Sequence, residues 1–329
     1  MAKRPTMADV AQEAGVSRAL VSIVFREAPG ASDATREKVF AAAERIGYRH
    51  NSIAARLASQ TTQTIGVFIY DMRNDLTAQV FEGLRARADE VGLSLLTGIS
   101  DPTGHADRAV LNNLMEARVD AIIPIGAVVE GDVFRDIDRA IPVVSATRVV
   151  TGVDSVVSDD AVGSGMVVDH LLGLGHERIH MIAPPWRPSA RVDGYKQAMT
   201  EAGLAPSVID VPYEPGTTRE AARQLLKLKH PPTAIYAHND VMGLEILDAM
   251  LLTGREVPDD MAVAGYDDLR VSASATVNLT TVNQDPDAIG RLAVDMAKER
   301  IDGLKGEGRL VQIAPSLVAR ATTTGELAL

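Results

Sequence analysis

From residue 64 onward the chain repeats one alternation: a short apolar run, then a stretch with apolar residues at helical spacing. The apolar runs lie at 64–70, 93–98, 121–125, 143–146, 178–183, 234–237 and 261–266. Helical stretches lie near 78–90, 106–117, 161–174, 190–202, 218–229 and 240–253. Runs such as Ala121-Ile122-Ile123-Pro124-Ile125 are apolar on both faces, which suits a strand covered on both sides. Repeated strand–helix–strand units of this kind build parallel sheets sandwiched by helices. The segment 280–284, followed by a helix near 286–302, reads as a return crossing between two such layers. A chain of 329 residues is too long for one ordinary core and fits a small head plus a two-lobed α/β body.

The first sixty residues follow a different pattern, that of three short amphipathic helices. Thr6 can accept from the free amides of the first turn, and Asp9 suits the positive helix end. Gly15 supplies the backbone freedom of a tight turn, and Ser17 then caps a second helix. Ser32 caps a third. Val10, Ala11 and Ala14, then Val21, Val24 and Phe25, then Val39, Ala42, Ala43 and Ile46 form three apolar faces that can bury one small core. The start of the second helix keeps Ser17, Arg18, Ala19 and Ser22 on its remaining face, side chains suited to base edges and phosphates. This is a helix-turn-helix pattern. A small bundle with merely solvated polar residues would read the same way by turn geometry alone.

The segment Gly47-Tyr48-Arg49-His50-Asn51-Ser52-Ile53-Ala54-Ala55-Arg56-Leu57-Ala58-Ser59 decides between them. Together with Asp9-Val10-Ala11, Ala14-Gly15-Val16-Ser17, Val21-Ser22, Thr35-Arg36-Glu37-Lys38-Val39 and Ile46-Gly47-Tyr48, it closely resembles the lactose-repressor and galactose-repressor family of transcription regulators. The resemblance implies that the second helix enters the major groove and that 51–59 is a hinge that turns helical on operator DNA. It implies DNA contacts from Thr6, Ser17, Arg18, Ala19, Leu20, Ser22, Ile23, Arg26, Ser32, Thr35, Tyr48, Asn51 and Ala54, with Leu57 as a minor-groove wedge. A helix of about eight residues is marginal in water, so its folding can be coupled to DNA. Ile23 and Arg26 stand where the family usually carries arginine and asparagine, and His50 where it commonly has proline. Arg18 is therefore the better expectation for bidentate guanine reading, and the operator should differ from familiar ones.

Charge divides the chain at the same place. Residues 1–60 hold nine Lys or Arg against six acids, leaving 24 against 38 in the remainder of a chain whose net charge is −11. A basic head on an acidic body suits phosphate contact at one end. The amino terminus has no signal-like apolar segment, no apolar run is long enough for a bilayer, and there are no cysteines for disulfides or thiolate zinc. A cytoplasmic protein without membrane contact is the expectation.

The body resembles the periplasmic-binding-protein-like effector domain of the same family. The matching motifs are Gly66-Val67, His170-Leu171-Leu172 with Leu174-Gly175-His176, Arg191 with Gly194-Tyr195, Asn239-Asp240, the run from Val263 through Asp268, and Leu279-Thr280-Thr281-Val282. In that fold a ligand sits between lobes, at the carboxyl ends of parallel strands. Polar residues directly after the apolar runs are thus pocket candidates: Asp71, Arg73 and Asp75; Thr147 and Arg148; Asp159; and Trp186. By motif position, Arg191, Asn239 and Asp267 match the family's effector-contacting arginine, asparagine and aspartate. Such groups can fix hydroxyls, and the single tryptophan offers a face to a sugar ring or heterocycle. The alternative for each is a helix cap or an interlobe ion pair. The Arg73-Asn74-Asp75-Leu76 run departs from the family's usual Asn-Pro-aromatic sequence at this place.

Enzymatic patterns fare poorly. His176 and His180 flank and enter a strand, which points alternate side chains apart. Gly163-Ser164-Gly165 lacks a third glycine and a preceding strand, and neither a phosphate-binding lysine loop nor a nucleophile elbow occurs. The expectation is a non-enzymatic regulator, most readily a repressor, needing no cofactor or metal: a homodimer on palindromic operator DNA with a small-molecule effector, a sugar or derivative. A solute-binding protein for a transporter would share the body and have no use for residues 1–60. The expected boundaries are 1–49 for the head, 50–61 for hinge and linker, and 62–329 for the body. Within the body, lobe one covers about 62–160 plus 288–320, and lobe two about 161–287 plus the tail.

Overall fold

The structure is a computed structural model, and it describes residues 5–25, 29–48, 61–100, 104–126, 131–186 and 188–326. The chain separates into two compact units, Met1–Thr62 and Gln63–Leu329.

The first unit contains α1 (Met7–Ala14), α2 (Arg18–Phe25) and α3 (Asp33–Arg45). Thr6 and Asp9 form a reciprocal capping box: the Thr6 N–H donates to Asp9 Oδ2 at 2.7 Å and the Asp9 N–H to Thr6 Oγ1 at 3.4 Å. Gly15 ends α1 in the left-handed region at φ 61°, where a side chain would be strained, and this makes the tight turn. Val10, Ala11, Ala14, Val21, Val24, Val39, Ala42 and Ala43 are buried together, with Phe25, Ile46 and Tyr48 packed around them. The three apolar faces read from the sequence thus meet in one core.

The second unit holds two parallel sheets. In chain order the first comprises β1 (Thr64–Ile69), α4 (Asp75–Glu90), β2 (Ser94–Ile99), α5 (Asp107–Glu116), β3 (Ala121–Ile125), α6 (Gly131–Asp138), β4 (Val144–Ala146) and β5 (Asp154–Ser158). The second comprises α7 (Asp160–Gly173), β6 (Ile179–Ala183), α8 (Ala190–Glu201), β7 (Ser207–Asp210), α9 (Thr217–Leu225), β8 (Ala234–Ala237), α10 (Asp240–Leu252) and β9 (Ala262–Ala264). The chain returns through β10 (Thr281–Asn283) to α11 (Pro286–Ile301) and β11 (Leu310–Ile313), then crosses again to β12 (Ser316–Val318) and α12 (Ala321–Thr324).

Strand order is β11-β5-β4-β3-β1-β2 in one sheet and β7-β6-β8-β9 in the other, every pairing parallel. Chain direction across each sheet reverses beside β1 and beside β6, between β1 and β3 in the first and between β6 and β8 in the second. These switch points leave crevices at the carboxyl ends of the strands. β10 and β12 pair antiparallel as a two-stranded link.

Four strands escaped the sequence reading. β5 carries Asp154, whose side chain is 1 % exposed and paired with Arg300 and Arg309 at 2.8 Å each, so a buried charge interrupts the apolar signature. β7, β11 and β12 are short and only partly covered. The first lobe also ends earlier than about 320: β12 pairs with β10, and Leu317 packs on the second sheet's core.

Helices α4 and α11 lie backbone against backbone on the first sheet. A methyl built on Gly83 would stand 2.5 Å from the Asp287 carbonyl oxygen, and one on Gly290 would collide with the Val80 carbonyl. Gly83→Ala should therefore force the helices apart and cost about 1–3 kcal/mol. Thermal unfolding of the body checks this; an unchanged Tm would show that the approach is loose.

Candidate DNA-reading helix and interlobe cleft

On the head, the Ser17 hydroxyl accepts the Leu20 N–H at 3.1 Å, which starts α2. Ser17, Arg18 and Ala19 are exposed on its first turn, while Leu20, Ser22 and Ile23 are half-buried along its flank. Other candidates have local duties. Thr6 is engaged with Asp9, Ser32 caps α3 by accepting the Thr35 N–H at 3.3 Å, and the Ser32 and Thr35 hydroxyls meet at 2.9 Å. Tyr48 packs its ring 5.5 Å from that of Phe25. Arg26, Asn51, Ala54 and Leu57, and with them the hinge 51–59, lie outside the described residues.

In the body, the candidates gather where the topology opens. Arg191 sits in the first turn of α8, after β6. Its Nε donates to Asp160 Oδ2 at 3.1 Å, and its Nη1 donates to the His238 carbonyl at 2.9 Å and lies 3.0 Å from Asp267 Oδ1. Its Cζ stands 3.9 Å above the Tyr266 ring. Burial alone would lower the Arg191 pKa; the carboxylates of Asp160 and Asp267 overcome it and hold the guanidinium charged. Asp267 follows β9 with a left-handed φ of 110° and also accepts from Gln284 Nε2 at 2.7 Å. Burial pushes its carboxyl up to about 7, against the pull of Arg191.

Asn239, after β8, caps α10 by accepting the Met242 N–H at 3.0 Å, and its amide donates to the Tyr213 hydroxyl at 3.2 Å. Tyr213 is the residue on which the cleft converges. Its ring lies 5.2 Å from that of Trp186, which follows β6, and Trp186 in turn stands edge-on to His238 at 6.1 Å. Burial raises the Tyr213 pKa, and the charges of Asp267, Asp71 and Arg191 also act on its hydroxyl. Asp71, on the opposite lobe just after β1, holds Arg73 through two hydrogen bonds of 3.0 Å, which keep its carboxyl below the usual range. Two candidates, Trp186 and Asn239, touch Tyr213 directly; Arg191 and Asp267 pair with each other at 3.0 Å, and Asp71 pairs with Arg73 on the other side of the lobes' opening.

The others do local work. Asp159 caps α7 by accepting the Val162 N–H at 3.2 Å. Thr147, at φ 72°, accepts the Gly126 N–H at 3.2 Å and ties the ends of β3 and β4. Asp75 lies exposed in the first turn of α4, and Arg148 is exposed, its carbonyl accepting the Ser145 hydroxyl at 2.7 Å. Sequence reasoning missed Tyr213, Asp160, His238 and Tyr266. Tyr213 follows an unrecognised strand, whereas Tyr266 lay inside a motif already singled out. His180 lies in β6 and faces Ser207, with Nδ1 and Oγ 3.4 Å apart, so its environment is that of a structural histidine. Paired acids and arginines, an amide and two accessible aromatic rings can orient a small polar ligand by hydroxyl contacts and ring stacking. No helix among the described residues is long and apolar enough to cross a membrane.

Comparison with known proteins agrees with both halves. Residues 6–51 match the family model for bacterial regulatory proteins of the lacI family, and residues 168–323 match the periplasmic binding protein-like domain. Catabolite control protein A of Priestia megaterium is 30% identical over 328 residues, covering 97% of this chain and 99% of that protein. The HTH-type transcriptional repressor PurR of Photobacterium profundum is 29% identical, covering 96% of this chain and 97% of that protein. Among solved structures, the lac repressor dimer bound to operator and the anti-inducer ONPF superposes with a TM-score of 0.86 at 29% identity, covering 99% of this chain and all of that one. The transcriptional regulator CelR in complex with cellobiose gives a TM-score of 0.71 at 28% identity, covering 97% of this chain and 100% of that one. The head and the two-lobed body occur in these relatives in the same order and over nearly the whole length, so the chain belongs to the lacI family of bacterial transcriptional regulators.

Proposed function

We propose that this regulator is a cytoplasmic repressor that binds a palindromic operator as a homodimer and is controlled by a small polar ligand held between its lobes. The reading extends the family membership with what the relatives bind and assemble into. The observation that carries it is the first turn of α2: capped by Ser17, it leaves Arg18 and Ala19 exposed on a head whose core is otherwise complete. Arg18 reads a base edge; Ser17, Ala19 and Ser22 fix the helix against the groove. Ligand contact falls to Arg191, Asn239 and Asp267, with Trp186 and Tyr213 stacking on a sugar ring or a comparable planar group. Occupancy shifts the population of lobe arrangements, and the shift reaches operator affinity through the segment joining body to head.

Selection of genomic fragments on the purified protein, followed by mobility-shift titration at several salt concentrations, tests the DNA reading. Sequence-preferring binding that weakens linearly in log–log salt is expected; binding without sequence preference would sink it. Arg18→Ala, at an exposed position, should cost about 1–3 kcal/mol of discrimination at one base pair and leave Tm unchanged. Thermal-shift screening with a carbohydrate and purine panel tests the cleft. Trp186→Ala, at a residue 51% exposed, should keep the fold and weaken binding of the compound that scores by about tenfold. Unaltered affinity would move the ligand elsewhere.

The buried acid adds a pH signature. The folded chain holds the Asp267 proton up to about 7, whereas an unfolded aspartate releases it near its ordinary value of 3.8. Relative to Asp267→Asn, the wild type should lose stability as pH rises from about 4 to about 7 and stay level above that. Paired Tm measurements across this range check the sign; a constant difference would mean that Asp267 titrates as it does in water.

A further inference from the structure

Directly after β9, Asp267 and Asp268 both adopt left-handed backbone, φ 110° and 49°, and throw the chain away from its own sheet. A 3-10 turn, Arg270–Ala273, follows. Its mooring to the second lobe is the buried carboxylate of Asp240, the first residue of α10, which accepts the Leu269 N–H at 2.9 Å and the Ser272 hydroxyl at 2.6 Å. The Leu269 side chain points the other way. It is 4% exposed and buried in the core of the first lobe, where every other buried member comes from 65–156 or 289–297. Arg270 beside it reaches both carboxylate oxygens of Glu82 on α4, at 2.8 and 2.9 Å.

We infer that Leu269 and Arg270 form a latch by which the second lobe grips the first, and that the latch reports the state of the cleft. The second half rests on the proposed reading of Arg191 and Asp267 as ligand contacts. Asp267 lies two residues before Leu269, and the intervening backbone has little freedom: Asp268 donates its N–H to Thr281 Oγ1 at 3.2 Å and pairs its carboxylate with Arg320 at 2.6 Å. A ligand that redirects the Asp267 carboxylate therefore rotates a strained, anchored turn whose next side chain is set in the other lobe. The two contacts differ in weight. Leu269 is withdrawn from water and does the holding, whereas the Arg270–Glu82 pair is 66% and 59% exposed, screened by solvent, and mainly orients the turn.

The absence of cysteine from the chain permits a direct test without the ligand. Spin labels at Glu116→Cys and Lys227→Cys, both exposed and one on each lobe, give the interlobe distance distribution by pulsed electron resonance in the full-length protein. Leu269→Ala should broaden that distribution at least twofold, and Leu269→Met should restore it. Ile235→Val, a cavity in the second lobe's own core, serves as a control that lowers Tm without broadening. Arg270→Glu should broaden it slightly, with recovery in the Arg270→Glu, Glu82→Arg double variant. A wild-type distribution for Leu269→Ala would overturn the latch. Asp267→Asn, which alters the cleft group alone, should shift the distribution in the Leu269 background and have no further effect in Leu269→Ala. A shift of equal size in both would overturn the coupling and leave the ligand and operator tests unaffected.

Discussion

The cleft depends on a guanidinium that water barely reaches. The Arg191 side chain is 11% exposed and lies between Asp160, Asp267, the His238 carbonyl and the Tyr266 ring. A buried ion network is poor evidence for stability, because stripping water from each charge offsets most of the attraction. Its effect here is positional. Each partner comes from a different segment: Asp160 from the start of α7, His238 from the end of β8, Asp267 from the end of β9. One arginine thereby fixes the start of α7 and the segments after β8 and β9 relative to one another, and Asn239 and Tyr213 build outward from that fixed frame. A ligand entering such a frame meets groups already oriented, which lowers the ordering cost of binding.

The same economy governs the crossings between lobes. Asp240 satisfies Leu269, Ser272 and Thr281 with one carboxylate, and burial pushes that carboxyl up to about 6 even though three donors pull it down. Arg320 joins Asp268 to the Leu279 carbonyl, and Thr280 meets Thr323 at 2.7 Å. The crossing segments are thus tied to one another and to the start of α10 by side-chain hydrogen bonds. Under the proposed lobe movement, such a framework would favour rotation about this hydrogen-bonded core, through the left-handed backbone at Asp267, Asp268 and Asp285.

What could be read in advance follows from the physics of each signal. Apolar runs buried on both faces, such as β3 and β8, stand out because nothing polar interrupts them. β5 is as buried as either and was invisible, since Asp154 sits in it with a carboxyl lowered to about 2 by Arg300 and Arg309, residues 146 and 155 positions away. A charge neutralised only by the fold reads as a loop residue. Arg191, Asn239 and Asp267 were legible through their motifs. Tyr213 was not: its contacts with Trp186 and Asn239 join residues 26 or more positions apart that only tertiary structure assembles. Conversely, Asp159 and Thr147 follow strands as a ligand contact should, yet serve a cap and a turn, because the same strand-end geometry demands both.

The head shows how little surface is left for reading once a small bundle has satisfied itself. Thr6, Ser32 and Thr35 occupy their hydroxyls in caps, and Tyr48 commits its ring to Phe25. Three helices of 8, 8 and 13 residues leave their terminal amides unpaired unless such side chains accept from them. Removing Thr6 or Ser32 would therefore weaken DNA binding chiefly by loosening the scaffold, at roughly 1 kcal/mol per cap. Arg18 is different: it is exposed, stands one residue past the cap, and its position is set by the Ser17–Leu20 hydrogen bond rather than by its own contacts. On the proposed reading, specificity in this head would concentrate on the first turn of α2. With Ile23 half-buried on the same helix, an apolar flank lies beside that guanidinium. On the proposed reading, such a flank would favour a thymine methyl next to the base that Arg18 contacts.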